Sequence, residues 1–268
     1  MNILSYIKAI RQTGKRYFTI NQAISDLGIS RNYARVAIHR LLEQGDLISP
    51  AKGLYIIVPP EHQPYGSIPA EELMPILMKY LNANYYVSLL SAAAFHGSSH
   101  QKPPRFQIIT NKRIKHPLTF GQVKLEVIYK KSLSNLPLQD FTVATGYLKV
   151  ASPELVSHDL LTYSEKSGGL NHIATVLTEL IEVMNSNKLI KIADQLGEKA
   201  WLQRLGYILE KIDPMDSDKA LQMIKKIEVY LKQKKLRFLP LAPELPTKGF
   251  ARIKKWKIIE NTDIESDI

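Results

Sequence analysis

At 268 residues and 45% hydrophobic content, the chain can bury a real core, as one large domain or as a small module plus a medium one. It contains no cysteine, which excludes disulfide scaffolds, thiolate metal sites and cysteine nucleophiles and fits a reducing cytoplasm. The formal charge of +11 is uneven: +5 over residues 1–60, +5 over 61–150, −4 over 151–224, +9 over 225–257 and −4 over the last eleven. Such a field attracts polyanions but specifies no sequence or fold.

The opening MNILSYIKAIRQTGKRY has helical apolar spacing and no cleavable leader pattern, and no run of eighteen apolar residues reads as a transmembrane span. A first helix is predicted over about 2–13, with Ile3, Leu4, Ile7 and Ile10 inward and Gly14 at its end. Thr19 caps a second helix, Gln22 completes a capping box, and Ile20, Ala23, Ile24 and Leu27 form its buried side. Gly28 permits a tight turn, and Ser30 caps a third helix that lasts to about Gln44 and stops at Gly45. "DLISP" and "GLYIIV" read as two strands joined across Ala51-Lys52-Gly53. Three short helices and a hairpin follow the order of a winged helix-turn-helix over 1–58.

Four prolines in "VPPEHQPYGSIP" mark an extended linker over 59–69. A larger mixed α/β domain is expected over 70–258, with an acidic tail over 259–268. Its helices are predicted at 70–82 and 86–96, its best strands at "RFQIIT", "VKLEVIY" and "TVATGYLKVA", and its remainder to about 231 is mostly helical from Pro153 onward. Leu170, Ile173, Ala174, Leu177, Leu180, Ile181 and Met184 repeat at helical spacing. The fold class is therefore α+β, strands early and helices late in the second domain.

Advancing about 100° per residue along the third helix separates its faces. Ala34, Ala37, Ile38 and Leu41 lie on one side; Asn32, Arg35, Val36, His39 and Glu43 lie opposite, with Arg31 and Arg40 at the margins. The outer set suits a major groove: guanidinium for guanine, amide for adenine, an apolar contact for a thymine methyl. Ser30 and the first N–H groups would sit at a phosphate, and Lys52-Gly53 at the wing tip would meet phosphate or minor groove. Any surface helix is polar outside, so the face alone decides nothing. The preceding capped helix, the turn at Gly28 and the following hairpin favour a DNA-reading role. His39 suits a phosphate or base contact and equally a solvated position; Glu43 orients an arginine or faces solvent.

The search for chemistry nominates no catalytic set. His96 and His100 in "HGSSH", with His158 and His172, lack an HExxH glutamate and an evident third ligand, so neither metal nor cofactor is expected. "HGSS" suggests the start of a nucleotidyltransferase, but the strand "RFQIIT" carries no paired aspartates for magnesium. Glu126 in "KLEVIYKK" lacks nuclease spacing, and no phosphate loop or nucleophile elbow is present. The segment from Lys225 to Lys257 instead interleaves cations with Tyr230, Phe238, Phe250 and Trp256. Lys234, Lys235, Arg237, Arg252, Lys254, Lys255 and Lys257 are its candidate surface for an anionic partner, whether single-stranded nucleic acid or acidic protein. The competing reading is a solvated helix face followed by a hairpin whose aromatics are core.

The order of these segments resembles the AbiEi family, the antitoxin and transcriptional regulator of type IV toxin–antitoxin systems used in phage defence. The resemblance rests on "SRNYARVAIHRLLEQGDLISPAKGLYIIVP" and on "YYVSLLSAAAFHGSSHQKPPRFQIITNK". It implies a non-catalytic bacterial protein that represses its own operon and counteracts a nucleotidyltransferase-like toxin through its C-terminal, antitoxin-type domain, without a stable complex. With no heptad seam visible, a monomer that pairs on an inverted-repeat operator in its own promoter is expected. A ligand-sensing winged-helix regulator and a DNA-processing enzyme remain alternatives.

Overall fold

The computed structural model describes residues 2–98, 103–116, 118–212 and 218–264. It opens with α1 (Ile3–Gln12), β1 (Tyr17–Thr19), α2 (Ile20–Leu27), α3 (Arg31–Glu43), β2 (Leu47–Ala51) and β3 (Leu54–Ile57). The local signals act as the sequence requires. Thr19 and Gln22 form a reciprocal capping box, Gly28 takes the left-handed conformation at φ +62°, and Ser30 accepts from the Tyr33 amide. Ile3, Tyr6, Ile7, Phe18, Ala23, Ile38, Leu41, Leu47 and Ile57 bury one another beneath the helices. Leu4, expected inward, is 59% exposed, because Tyr6 takes the place beside Ile3 and Ile7.

The wing has three strands rather than two, in the order β1-β3-β2. Tyr17 pairs with Ile56 and Thr19 with Leu54, so a three-residue strand too short to show alternation closes the hairpin's other edge. This arrangement of helices and sheet is the winged helix-turn-helix expected, followed by a larger mixed α/β region.

The proline-rich stretch is not an extended linker. Pro60–Tyr65 is a 3-10 helix, and Ser67 and Ile68 after it are buried. Gly66 lies so near Gly121 that a Cβ there would come within 2.9 Å of the Gly121 Cα. Next come α4 (Ala70–Tyr80), β4 (Tyr85–Val87), α5 (Leu89–Phe95), β5 (Phe106–Thr110), β6 (Leu118–Phe120), β7 (Val123–Tyr129), β8 (Leu138–Val143) and β9 (Gly146–Ala151). The predicted helix 86–96 thus begins with a strand, and "TVATGYLKVA" is two strands with a turn at Ala144-Thr145. Their sheet runs β6-β7-β5-β4-β9-β8, with β5 and β7 parallel from Phe106↔Leu125 to Thr110↔Tyr129.

Helices follow: α6 (Pro153–Thr162), α7 (Gly169–Leu180), α8 (Ser186–Leu196), α9 (Ala200–Lys211) and α10 (Asp218–Lys232). A small sheet of β10 (Leu239–Pro240), β11 (Arg252–Ile253) and β12 (Ile258–Ile259) ends the described chain, in the order β10-β12-β11. Helix α6 is buried from Pro153 to Leu161 and touches α5, α7, α8 and α9. Trp201 and Trp256 are among the largest fully enclosed side chains.

The chain packs as two compact units. One holds residues 1–86, 104–133 and 140–149; the other holds 87–103, 134–139 and 150–268. The division does not fall at 59–69, so the first unit takes in sheet strands as well as the winged helix. Among the described residues no helix is long and apolar enough to cross a membrane.

Candidate nucleic-acid interface

Helix α3 is held in rotation by Ala34, Ile38 and Leu41, which are 0%, 1% and 4% exposed. Its opposite side is open. Asn32, Arg35 and Arg40 are exposed, and their side chains make no hydrogen bond or ion pair among the described residues. Arg35 lies close enough to Tyr55 to oppose the upward push that burial gives that phenol. Arg31 donates to the Asn21 Oδ1 at 2.8 Å, which ties the margin of α3 to α2. His39 sits 3.5 Å from Glu43 one turn on and both side chains are largely exposed, so Glu43 faces solvent, one of its two expected positions, and pairs with no arginine among the described residues. Val36 is exposed as expected; Tyr33, which the sequence reading assigned to neither side of the helix, is exposed as well.

The wing tip is braced. The Tyr80 hydroxyl donates to the Lys52 carbonyl at 2.8 Å, and the Ile20 amide donates to the Gly53 carbonyl at 3.0 Å. Gly53 has φ +82°, and a Cβ there would lie 3.3 Å from the Tyr80 oxygen, so glycine serves both the turn and the close approach. The Lys52 side chain itself is exposed.

From this tip a series of bonds leads to cations not singled out in the sequence. The Lys112 ammonium donates to the Leu81 carbonyl at 2.6 Å, just beyond Tyr80. The Lys130 amide donates to Thr110 at the end of β5, and the Arg113 guanidinium lies 4.8 Å over the Tyr129 ring. Lys112, Arg113 and Lys130 thus gather at the C-terminal ends of β5 and β7. The charge of 61–150 was visible in the sequence; its convergence beside the wing depends on strand pairing.

The histidines considered as metal ligands have other partners. The His96 Nε2 donates to the Ala151 carbonyl at 2.7 Å, and burial holds its imidazole below the usual value. His158 contacts Asp159 at 2.8 Å and meets Trp201 edge-on at 5.2 Å. Ser88 donates to the other Asp159 oxygen at 2.6 Å. The aspartate therefore stands between serine and histidine, so the hydroxyl is bonded to a carboxylate and not to the imidazole, and all three are at most 2% exposed. His172 packs against Gly168, and His100 lies outside the described residues. Glu126 accepts from Gln107 across the β5–β7 pair. Among the described residues no three His, Asp or Glu side chains could hold a metal together.

The basic C-terminal segment separates into two sets. Lys234 lies 3.8 Å from Asp194, and Lys255 pairs with Glu210 and Glu228. Burial alone would lower the Lys255 ammonium, but those carboxylates together raise it. Arg252 and Lys257 lie over the Phe238 ring at 5.4 and 5.0 Å. Lys235, Arg237 and Lys254 are exposed and make no ion pair among the described residues. Tyr230 and Trp256 are buried, and the Trp256 indole donates to Glu210, so neither ring offers a face for stacking a base. Phe250 is 46% exposed.

Two family models match the chain: "Transcriptional regulator, AbiEi antitoxin" over residues 5–58, and "AbiEi antitoxin C-terminal domain" over residues 86–211. No curated protein matches. The crystal structure of the RV2827C protein from Mycobacterium tuberculosis is similar in fold, with a TM-score of 0.67 at 17% identity, covering 95% of this chain and 89% of that one. An antigenic nucleotidyltransferase-like protein from Paracoccidioides brasiliensis aligns at a TM-score of only 0.34 and 10% identity, over 61% of this chain and 86% of that one, a likeness too slight to describe the fold.

Proposed function

The chain belongs to the AbiEi antitoxin family, and from that footing we propose that it represses its own operon by reading DNA with α3 and opposes a nucleotidyltransferase-like toxin through its C-terminal region. The observation that carries the DNA reading is the outer side of α3. Asn32, Arg35 and Arg40 stand there uncommitted, while the opposite side is buried. Uncommitted amide and guanidinium groups on a helix of fixed rotation can enter a major groove without first breaking internal bonds. Lys52, Lys112, Arg113 and Lys130 extend the positive surface toward phosphates that carry no sequence information. A single winged helix offers limited contact area, so two copies on an inverted repeat are expected to share the operator.

Antitoxicity is assigned to the exposed, unpaired cations Lys235, Arg237 and Lys254. Lys234 and Lys255 are committed to carboxylates of the same unit, and Arg252 and Lys257 to Phe238. The proposal thus narrows the seven-residue surface to three principal positions.

A reporter fused to the DNA upstream of the gene tests repression, and survival of cells expressing the toxin tests protection. Wild-type protein should lower the reporter and preserve survival. The double variant Asn32→Ala, Arg35→Ala should release the reporter and still protect. An unchanged reporter with this variant would remove α3 from repression.

A further inference from the structure

The outer side of α3 leaves two large apolar side chains in the open, Tyr33 at 53% and Val36 at 55% exposure. They are the third and sixth residues of the helix, so they lie next to each other along one strip of its surface. A single exposed apolar residue on a soluble protein means little. Here two adjacent ones share the first two turns of the helix with Asn32 and Arg35, whose side chains make no hydrogen bond or ion pair among the described residues. Those turns are the part of a recognition helix that approaches base edges.

The chemistry of the groove narrows what such a strip can meet. Base edges in the major groove present donors, acceptors and one apolar group, the C5-methyl of thymine. Val36 is β-branched, with one strongly preferred rotamer in a helix, so its methyls are held in place before binding. Tyr33 offers a rigid ring with few rotatable bonds, and its amide is already capped by Ser30, which fixes the helix start beneath it. Ala34 and Ile38, buried on the other side, prevent the helix from rolling the pair away.

We propose that Val36 and Tyr33 read thymine methyl groups, so that the protein discriminates thymine from cytosine and from uracil at the base pairs these two side chains face. The proposal rests on α3 being the DNA-reading helix and assigns the apolar part of its readout to two named side chains, one of them, Tyr33, outside the set the sequence nominated.

Replacing thymine by deoxyuridine removes the methyl and leaves every hydrogen-bonding group in place. The full-length chain is first allowed to select duplexes from a random library, and each thymine of the selected duplex is then replaced singly by deoxyuridine. Affinity should fall about fourfold, the worth of roughly one buried methyl group, at one or two positions per half-site and nowhere else. In Val36→Ala the loss at one of these positions should vanish while the other persists; in Tyr33→Ser the pattern should be reversed. Tyr33→Phe should keep its sensitivity to uracil, which separates ring contact from a hydroxyl on phosphate. Binding that tolerates uracil at every position would overturn the proposal and leave the reading of α3 intact. So would a uracil loss equal in wild type and in the variant carrying both Val36→Ala and Tyr33→Ser. Failure of the wild-type chain to select any duplex would overturn both.

Discussion

Single side chains differ in what they commit to, and that sorts their expected roles. Arg31 and His39, both nominated as DNA contacts, have partners within the protein in Asn21 and Glu43, whereas the side chains of Asn32 and Arg35 make no hydrogen bond or ion pair among the described residues. Lys52 combines a fixed carbonyl with an exposed ammonium. As a phosphate contact it acts on all sequences alike, so Lys52→Ala should weaken specific and random duplexes together and reduce the slope of log affinity against log salt by about one. Titrations over a salt series check this; loss confined to the specific duplex would make Lys52 a base reader instead. His96 gives a pH dependence. Burial holds its imidazole below the ordinary 6.5, so as pH falls the unfolded chain takes up this proton first. The associated stability is complete above about pH 6.5 and is lost as pH falls through the depressed folded value. The melting temperature of the wild type should therefore drop on acidification from neutral pH more than that of His96→Gln. Equal slopes would mean that His96 does not contribute.

Elements announced by adjacent residues were legible in the sequence. The Thr19–Gln22 box, the Gly28 turn and the Ser30 cap each act within three or four positions, and they place α2 and α3. What escaped depends on distant pairing. The strands β1 and β4 have three residues each, too few for alternation to show, and exist because Ile56 lies opposite Tyr17 and Val150 opposite Val87. Likewise, Lys255 looked free until α9 and α10 brought Glu210 and Glu228 to it. Helix α9 supplies a test of packing. A Cβ on Gly206 would lie 2.3 Å from Trp256 Cζ3, inside a fully buried ring. Gly206→Ala should lower stability by about 1–3 kcal/mol, despite alanine's better helix propensity, because the indole must move. Denaturant unfolding measures it; an equal or raised midpoint would mean that the tryptophan yields freely.

Across the whole molecule, the +11 charge is distributed between regions to which different work is assigned. If α3 and the wing serve repression while Lys235, Arg237 and Lys254 serve protection, full-length variants should separate the two. Reversing these three cations to glutamate should reduce survival against the toxin while leaving the reporter repressed and the melting transition unchanged. Loss of repression by that variant would join the two surfaces into one. The central claim, that α3 reads DNA sequence, is tested most directly by equilibrium binding of wild type and Arg35→Ala to the upstream duplex and to a random duplex across a salt series. The account predicts that Arg35→Ala loses about 1–3 kcal/mol on the upstream duplex, relaxes preference at one base pair, and changes little on the random one. Equal affinity of wild type and Arg35→Ala for the upstream duplex would contradict it.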